Sequence, residues 1–172
     1  HHGAPGRRGD PRVTLRVRRA APTDGPALLE LVAALADYEK LAPPDAAARA
    51  RLLRDGFGPA PRFELLFGEY EGRPVAYALY FFTYSSFLAR PTLYLEDLFV
   101  RPDARRHGVG GAMLGALAEA AIAADCGRME WAALTWNRLA IDFYERLGAR
   151  ALEEWRTFRL EAADFGKLMG GA

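Results

Sequence analysis

Between Arg105 and Gly111 the chain reads Arg-Arg-His-Gly-Val-Gly-Gly, just before a run in which Met113, Leu114, Leu117, Ala121 and Ile122 recur at helical spacing. The first backbone N–H groups of a helix lack intrahelical partners, and the helix dipole adds partial positive charge there, so a phosphate fits if no side chain blocks it. Gly108 and Gly110 remove that block and permit a tight turn, while Arg105 and Arg106 add charge-assisted donors for a pyrophosphate. Two other phosphate motifs fail on this stretch. A dinucleotide fingerprint needs glycine at position 113, where Met113 stands, and a nucleotide-triphosphate loop needs Gly-Lys followed by Ser or Thr, a run the chain does not contain. Taken alone, the turn reads either as an anion site or as a solvated strand-to-helix connection with surface arginines.

The elements around the turn follow from periodicity. Alternation over Val13 to Val17 suits a strand, and Pro22-Thr23-Asp24 starts a helix carrying Leu28, Leu31, Val32 and Leu35. A second helix is expected over Asp45 to Arg54, stopped by Gly56-Phe57-Gly58-Pro59. Phe63 to Tyr70 and Val75 to Tyr84, rich in aromatic and β-branched residues and joined by Glu71-Gly72-Arg73-Pro74, read as an antiparallel hairpin. A loop over Ser85 to Pro91 leads to a strand over Leu93 to Val100. After it come the glycine turn, a helix over Gly110 to Ala124, a strand over Met129 to Leu134, a helix over Arg138 to Leu147 and a strand over Trp155 to Leu160. Antiparallel pairing followed by a strand–helix–strand crossover implies an α/β fold with a mixed, mostly antiparallel central sheet and helices on both faces.

A chain of 172 residues, 51% hydrophobic, is long enough for one well-buried core. One domain is expected over residues 13–172, behind a disordered, Gly-, Pro- and Arg-rich tail at 1–12 that opens on two histidines of the kind a purification tag leaves. A net charge of +1 gives no reason to expect nucleic acid or an anionic membrane as partner. The single cysteine, Cys126, excludes an internal disulfide framework and a multi-cysteine zinc site, fits a cytoplasmic protein and reads as a buried structural thiol; no metal site is expected.

The Arg-x-x-Gly-x-Gly turn stands between Leu95-Glu96-Asp97-Leu98-Phe99-Val100 on one side and Trp136-Asn137 and Phe143-Tyr144-Glu145-Arg146-Leu147-Gly148-Ala149 on the other. In that order and spacing the motifs resemble the GCN5-related N-acetyltransferase (GNAT) superfamily over nearly the whole chain. Asp37-Tyr38-Glu39, Phe82-Thr83-Tyr84, Tyr94-Leu95-Glu96-Asp97 and Glu154-Trp155-Arg156 resemble, more narrowly, its diamine (spermidine/spermine) branch and the thialysine-acetylating relatives.

The resemblance implies direct acetyl transfer from acetyl-CoA to an amine in a homodimeric enzyme. Such a reaction needs a neutral amine, stabilisation of the carbonyl oxygen and a proton for the leaving thiolate. Tyr144 matches the family's general acid, although a phenol beside Phe143 would also serve as a core aromatic. Glu96 matches the base; a carboxylate of pKa about 4.3 cannot readily deprotonate an ammonium near 10.4 directly, so it would work through ordered water or through a lowered amine pKa. The backbone N–H of Leu98 matches the oxyanion donor, freed by a strand bulge that sequence alone does not reveal. Leu98, Phe99 and Val100 would pair with the pantetheine arm, and the turn from Arg105, Arg106, His107, Gly108, Val109, Gly110 to Gly111 would hold the pyrophosphate. Asn137 and Ala140 would complete the cofactor site, with helix capping an equally good account of Asn137.

Tyr38, Glu39, Glu96 and Asp97 correspond to positions around the cationic acceptor, and Glu130, Trp131 and Ala132 to a substrate-lining strand that could equally be ordinary core and surface. Ser85-Ser86 replaces the acid and proline of the spermidine/spermine enzymes and resembles the thialysine-acetylating relatives, while Thr135 departs from the acid those relatives carry. The expected substrate is a small diamine, polyamine or lysine-like amine. A protein amino-group acetyltransferase and a non-catalytic acyl-CoA-binding module are the alternatives.

Overall fold

The computed structural model describes residues 14–170, so the tail read at 1–12 lies outside the described residues. Those residues divide into two compact units, one ending at Ala132 and one beginning at Ala133.

The first unit runs β1 (Leu15–Arg19), α1 (Gly25–Tyr38), α2 (Ala46–Phe57), β2 (Glu64–Tyr70), β3 (Arg73–Ser85), β4 (Arg90–Val100), α3 (Val109–Ala123) and β5 (Arg128–Trp131). The strands form one sheet in the order β1-β2-β3-β4-β5, with antiparallel pairing as far as β4 and a parallel β4–β5 pair. Alternation of side chains splits the core in two. Leu65, Phe67, Tyr77 and Leu79 join Leu28 and Leu31 of α1 on one face. Leu66, Ala76, Ala78 and Tyr80 join Val109, Met113 and Leu117 of α3 on the other. Helices therefore cover both faces of a mixed, mostly antiparallel sheet, as the sequence implies.

Local chemistry fixes the entry to α1. A single 3-10 turn, Pro22–Asp24, precedes the helix, and the Asp24 carboxylate accepts from Arg18 at 2.7 and 2.8 Å and from the Ala21 N–H at 2.6 Å. Arg18 also donates to Glu69 at 2.6 Å, tying β1, the start of α1 and β2 together. The hydrogen bonds from Arg18 hold the Asp24 carboxyl below its ordinary value. Helix α2, capped by Asp45 Oδ1 on the Ala48 N–H at 2.8 Å, passes Gly56 and ends at Phe57 rather than Arg54. Phe57 packs on the α1-side core and keeps that last turn helical.

The hairpin is tighter than its four-residue signature suggests. Tyr70 pairs directly with Arg73, leaving Glu71 and Gly72, both at positive φ, as a two-residue turn. The Ser85–Pro91 loop likewise contracts to a turn inside β3 and β4, with Ser85 Oγ accepting from the Leu88 N–H at 3.2 Å. Strand β5 stops at Trp131 instead of Leu134, because its pairing with β4 ends at Leu95, where β4 becomes irregular.

Helix α3 sits close on the sheet because Gly68 offers no side chain: a Cβ there would lie 3.1 Å from Ala76 Cβ, Met113 Sδ and Val109 Cγ1. Met113, which occupies the position where a dinucleotide fingerprint would need glycine, is fully buried in this contact. Cys126 is half-buried against the same cluster, and burial pushes its thiol above the ordinary value.

The second unit holds α4 (Arg138–Arg146) and α5 (Phe165–Met169). The strand expected over Trp155 to Leu160 does not form. No strand is described in this unit to receive its backbone hydrogen bonds, and Trp155 and Phe158 are 73% and 92% exposed; alternation describes a surface that would suit a sheet but supplies no partner. Among the described residues no helix is long and apolar enough to cross a membrane.

Gly68→Val should overpack the α3–sheet contact and lower stability by about 1–3 kcal/mol. Urea denaturation monitored by circular dichroism measures this, and a wild-type midpoint would mean that α3 moves away from the sheet at no cost.

Candidate active site

The acidic residues of β4 owe their placement to one extra residue. Tyr80 pairs with Leu95 and Leu79 with Asp97, so Glu96 has no partner on β3. Such a bulge reverses the strand's alternation. Before it, Leu93 and Leu95 point to the α3 side; after it, Leu98 and Val100 do, while Phe99 joins the α1 side. Glu96 and Asp97 thereby leave the sheet together on the α1 side. The bulge that the resemblance requires near Leu98 is present, two residues before it.

The edge of β4 turned away from β3 carries no strand from Glu96 to Val100 among the described residues. The Arg101 N–H bonds the Val75 carbonyl, so by the alternation of an antiparallel ladder Phe99 faces Tyr77, and Leu98 and Val100 turn their N–H and C=O groups to this edge, where a strand-like ligand could add. Val100 is already occupied, because its carbonyl accepts from Arg105 Nε at 3.2 Å.

Asp97 is the most perturbed acid of the site. Its carboxylate Oδ2 accepts the Tyr77 hydroxyl at 2.9 Å. Burial pushes its pKa up from 3.8 to about 6; the Tyr77 hydrogen bond works against this, and the negative charges of Glu96 and Glu39 add to it. Two other expected acceptor residues, Glu39 and Glu96, thus bear electrostatically on Asp97. Tyr77 escaped sequence reasoning, since a tyrosine in a buried strand has the signature of core packing.

Tyr38, at the last turn of α1, is a packing residue as well as an acceptor candidate. Its ring meets Phe99 at 6.4 Å between centroids, and the Arg105 guanidinium lies 4.9 Å above it. Arg105 is therefore committed to Tyr38 and Val100. Arg106, by contrast, is exposed. The two arginines that look equivalent in sequence divide their work, and Arg106 is the one open to an anion.

The turn itself has the geometry of an anion cradle. Gly108 stands at φ 77° as the residue before α3, a left-handed conformation that glycine adopts without strain. A Cβ on Gly108 or Gly111 would meet nothing within 4 Å. The Ala112 N–H is bonded to the Gly108 carbonyl, so Val109, Gly110 and Gly111 carry the N–H groups left over at the start of the helix. The His107 ring stacks on Tyr70 at 4.6 Å, which fixes the outer side of the turn. These residues fit a pyrophosphate.

Trp131 packs under α3 with the core, Glu130 pairs with Arg128 at 3.0 Å, and Ala132 lies beyond the end of β5.

In the second unit Asn137 caps α4, its Oδ1 accepting from the Ala140 N–H at 3.3 Å. That bond is the helix cap, one of the two accounts the sequence offers for Asn137. Tyr144, half-buried beside Phe143 with ring centroids 5.7 Å apart, has its phenol pushed above the ordinary value by burial. It keeps its proton at neutral pH.

Residues 28–149 match the Acetyltransferase (GNAT) family model. The chain is 37% identical over 165 residues to a thialysine N-epsilon-acetyltransferase of Sus scrofa, covering 90% of this chain and 96% of that protein. It is 35% identical over 154 residues to a spermidine/spermine N(1)-acetyltransferase-like protein of Homo sapiens, covering 84% of this chain and 22% of that protein. In fold it resembles an integron cassette protein from the mobile metagenome of V. cholerae, with a TM-score of 0.78 at 23% identity over 91% of this chain and 98% of the other.

The Asp97 titration has a consequence for stability. Between 3.8 and about 6 the folded chain binds this proton and the unfolded chain does not. The contribution of Asp97 to stability therefore falls as pH rises through that window and is level above it, a change on the order of 3 kcal/mol. Urea denaturation from pH 4 to pH 7 should show Asp97→Asn gaining on the wild type across the window; a difference independent of pH would mean that Asp97 titrates as an ordinary aspartate.

Proposed function

The chain belongs to the GNAT acetyltransferase family and is an N-acetyltransferase acting on amines, and from that premise we propose that it moves the acetyl group of acetyl-CoA to the side-chain amine of a short lysine-like molecule such as thialysine. The observation that carries the acceptor class is the β4 bulge, which sets Glu96 and Asp97 side by side on the face where Glu39 also acts. Clustered carboxylates are the chemistry a cationic amine requires. Short acceptors are favoured over long polyamines because the turn between β3 and β4 carries Ser85 and Ser86 in place of an acid, and Ser85 is spent on the Leu88 N–H. The relatives named for thialysine support the same choice.

Bound acetyl-CoA supplies an acetyl group activated as a thioester. Val109, Gly110, Gly111 and Arg106 bind the pyrophosphate, and the open edge of β4 at Leu98 orients the pantetheine arm, with the Leu98 N–H as donor to the carbonyl oxygen. Glu96 takes the amine proton through a water molecule, since an ordinary carboxylate is too weak a base to remove it directly. Tyr144 holds the proton that the departing sulfur needs. The resemblance extends to a homodimer, for which the exposed Trp155 and Phe158 offer apolar surface.

CoA release over a panel of lysine analogues, diamines, polyamines and peptides tests the acceptor class. Turnover is expected on thialysine-like amines; peptides alone as substrates would make this a protein acetyltransferase, and acetyl-CoA binding without turnover would make it a binding module. Tyr144→Phe should lower kcat by roughly 10²-fold or more, and an unchanged kcat would remove the general-acid role. Gly108→Asn keeps a residue that tolerates the left-handed backbone and fills the cradle, so acetyl-CoA affinity should fall about tenfold, a loss of about 1.4 kcal/mol; calorimetry giving wild-type affinity would dismiss the turn as the pyrophosphate site.

A further inference from the structure

Tyr77 is fully buried on β3, in the cluster that joins Leu28, Leu31, Phe67 and Phe99. A phenylalanine would fill this site with the same ring, and a buried hydroxyl is tolerated only where it finds a partner. Its partner is Oδ2 of Asp97 at 2.9 Å. Among the described residues no hydrogen bond to the other oxygen, Oδ1, is found beside it. Every fully buried side-chain oxygen among the described residues has a partner, so Oδ1 is reached by solvent. One oxygen of the Asp97 carboxylate is anchored in the core and the other is not tied to Tyr77, on a group close enough to Glu96 to feel its charge.

We propose that Tyr77 is a positioning residue of the acceptor site, whose hydroxyl fixes the Asp97 carboxylate on the α1 side of the β4 bulge so that a cationic amine meets a second, pre-aimed carboxylate oxygen next to Glu96. This rests on the acceptor class proposed above. Without the hydroxyl, Asp97 would be free to turn toward water, and the acceptor would lose an oriented partner. The same bond governs the proton. The groups that bear on Asp97 are Tyr77 from β3, Glu96 from β4 itself and Glu39 from the end of α1; burial and the two acids oppose its ionisation, and the Tyr77 hydrogen bond alone favours it. Tyr77 thus keeps Asp97 charged at a pH where its surroundings would protonate it.

Tyr77→Phe keeps the ring and the packing, which makes it the test. In the variant the carboxyl carbon of Asp97, followed by NMR, should titrate at a higher pH than in the wild type. The KM for the amine should rise several-fold with little change in kcat, and the acid limb of kcat/KM should move upward by the same shift. Adding Tyr77→Phe to Asp97→Asn should cost nothing further in KM. An unchanged Asp97 titration together with an unchanged acid limb overturns the proposal, as does an equal KM penalty for Tyr77→Phe in the Asp97→Asn background. Wild-type protein that acetylates no short amine would instead remove the acceptor class, and the NMR titration would still decide whether Tyr77 controls Asp97.

Discussion

A single unpaired residue in β4 governs much of this molecule. With Glu96 left over between the Leu95 and Asp97 pairings, the strand's inward and outward faces exchange, and the sheet must be completed differently on either side of that point. Upstream, β4 is a central strand held on both edges, paired to β3 and to β5. Downstream, among the described residues, it keeps only β3. One insertion thereby ends the β5 ladder, leaves an open backbone edge at Leu98, and turns two acids onto the face covered by α1.

That arrangement has an electrostatic cost, visible in Asp97. Two neighbouring carboxylates and partial burial all work against its charge, and the Tyr77 hydrogen bond is what opposes them. The positive side of the balance is placed nearby yet not on the acids: Arg105 covers Tyr38 and bonds the Val100 carbonyl. Tyr38 ends α1, Val100 ends β4, and Arg105 begins the glycine turn, so one guanidinium joins the acceptor side of the first unit to the anion cradle. Among the described residues no cation is set against Asp97, an unfavourable state that a cationic ligand, as proposed, would relieve.

Much of the framework is legible in the residues. Period-two runs mark β1 to β4, the 3.6 period marks α1 and α3, and Gly108 with its neighbours marks the turn. The misses share a cause. Sequence patterns report which surface a segment could bury, whereas pairing depends on partners distant in the chain. Trp155 to Leu160 alternates acceptably and finds no strand; Leu134 would have extended β5 had β4 stayed straight. The bulge did leave a trace. Alternation from Leu93 and Leu95 calls for an apolar residue at 97, and the chain instead places Glu96 and Asp97 together before Leu98 restores the pattern one step late. Tyr77 left none, because its role lies in a hydroxyl and its partner is twenty residues away.

The acceptor side also constrains which cations it suits. An ammonium entering a partly buried site gives up hydration that only aimed oxygens can replace. A flexible acid can follow its ligand, at the expense of the freedom it loses on binding, while an acid tethered through one oxygen has given up that freedom during folding. Asp97 is of the second kind and Glu96, exposed on the bulge, of the first. A site built from one fixed and one mobile carboxylate discriminates most strongly close to the fixed group and tolerates variation beyond it. With Ser85 drawn into its own turn rather than facing outward as an acid would, the first unit offers its anchored charge to one end of a molecule. On the proposed reading, this arrangement would suit a short amine better than a chain with cationic centres spread along its length.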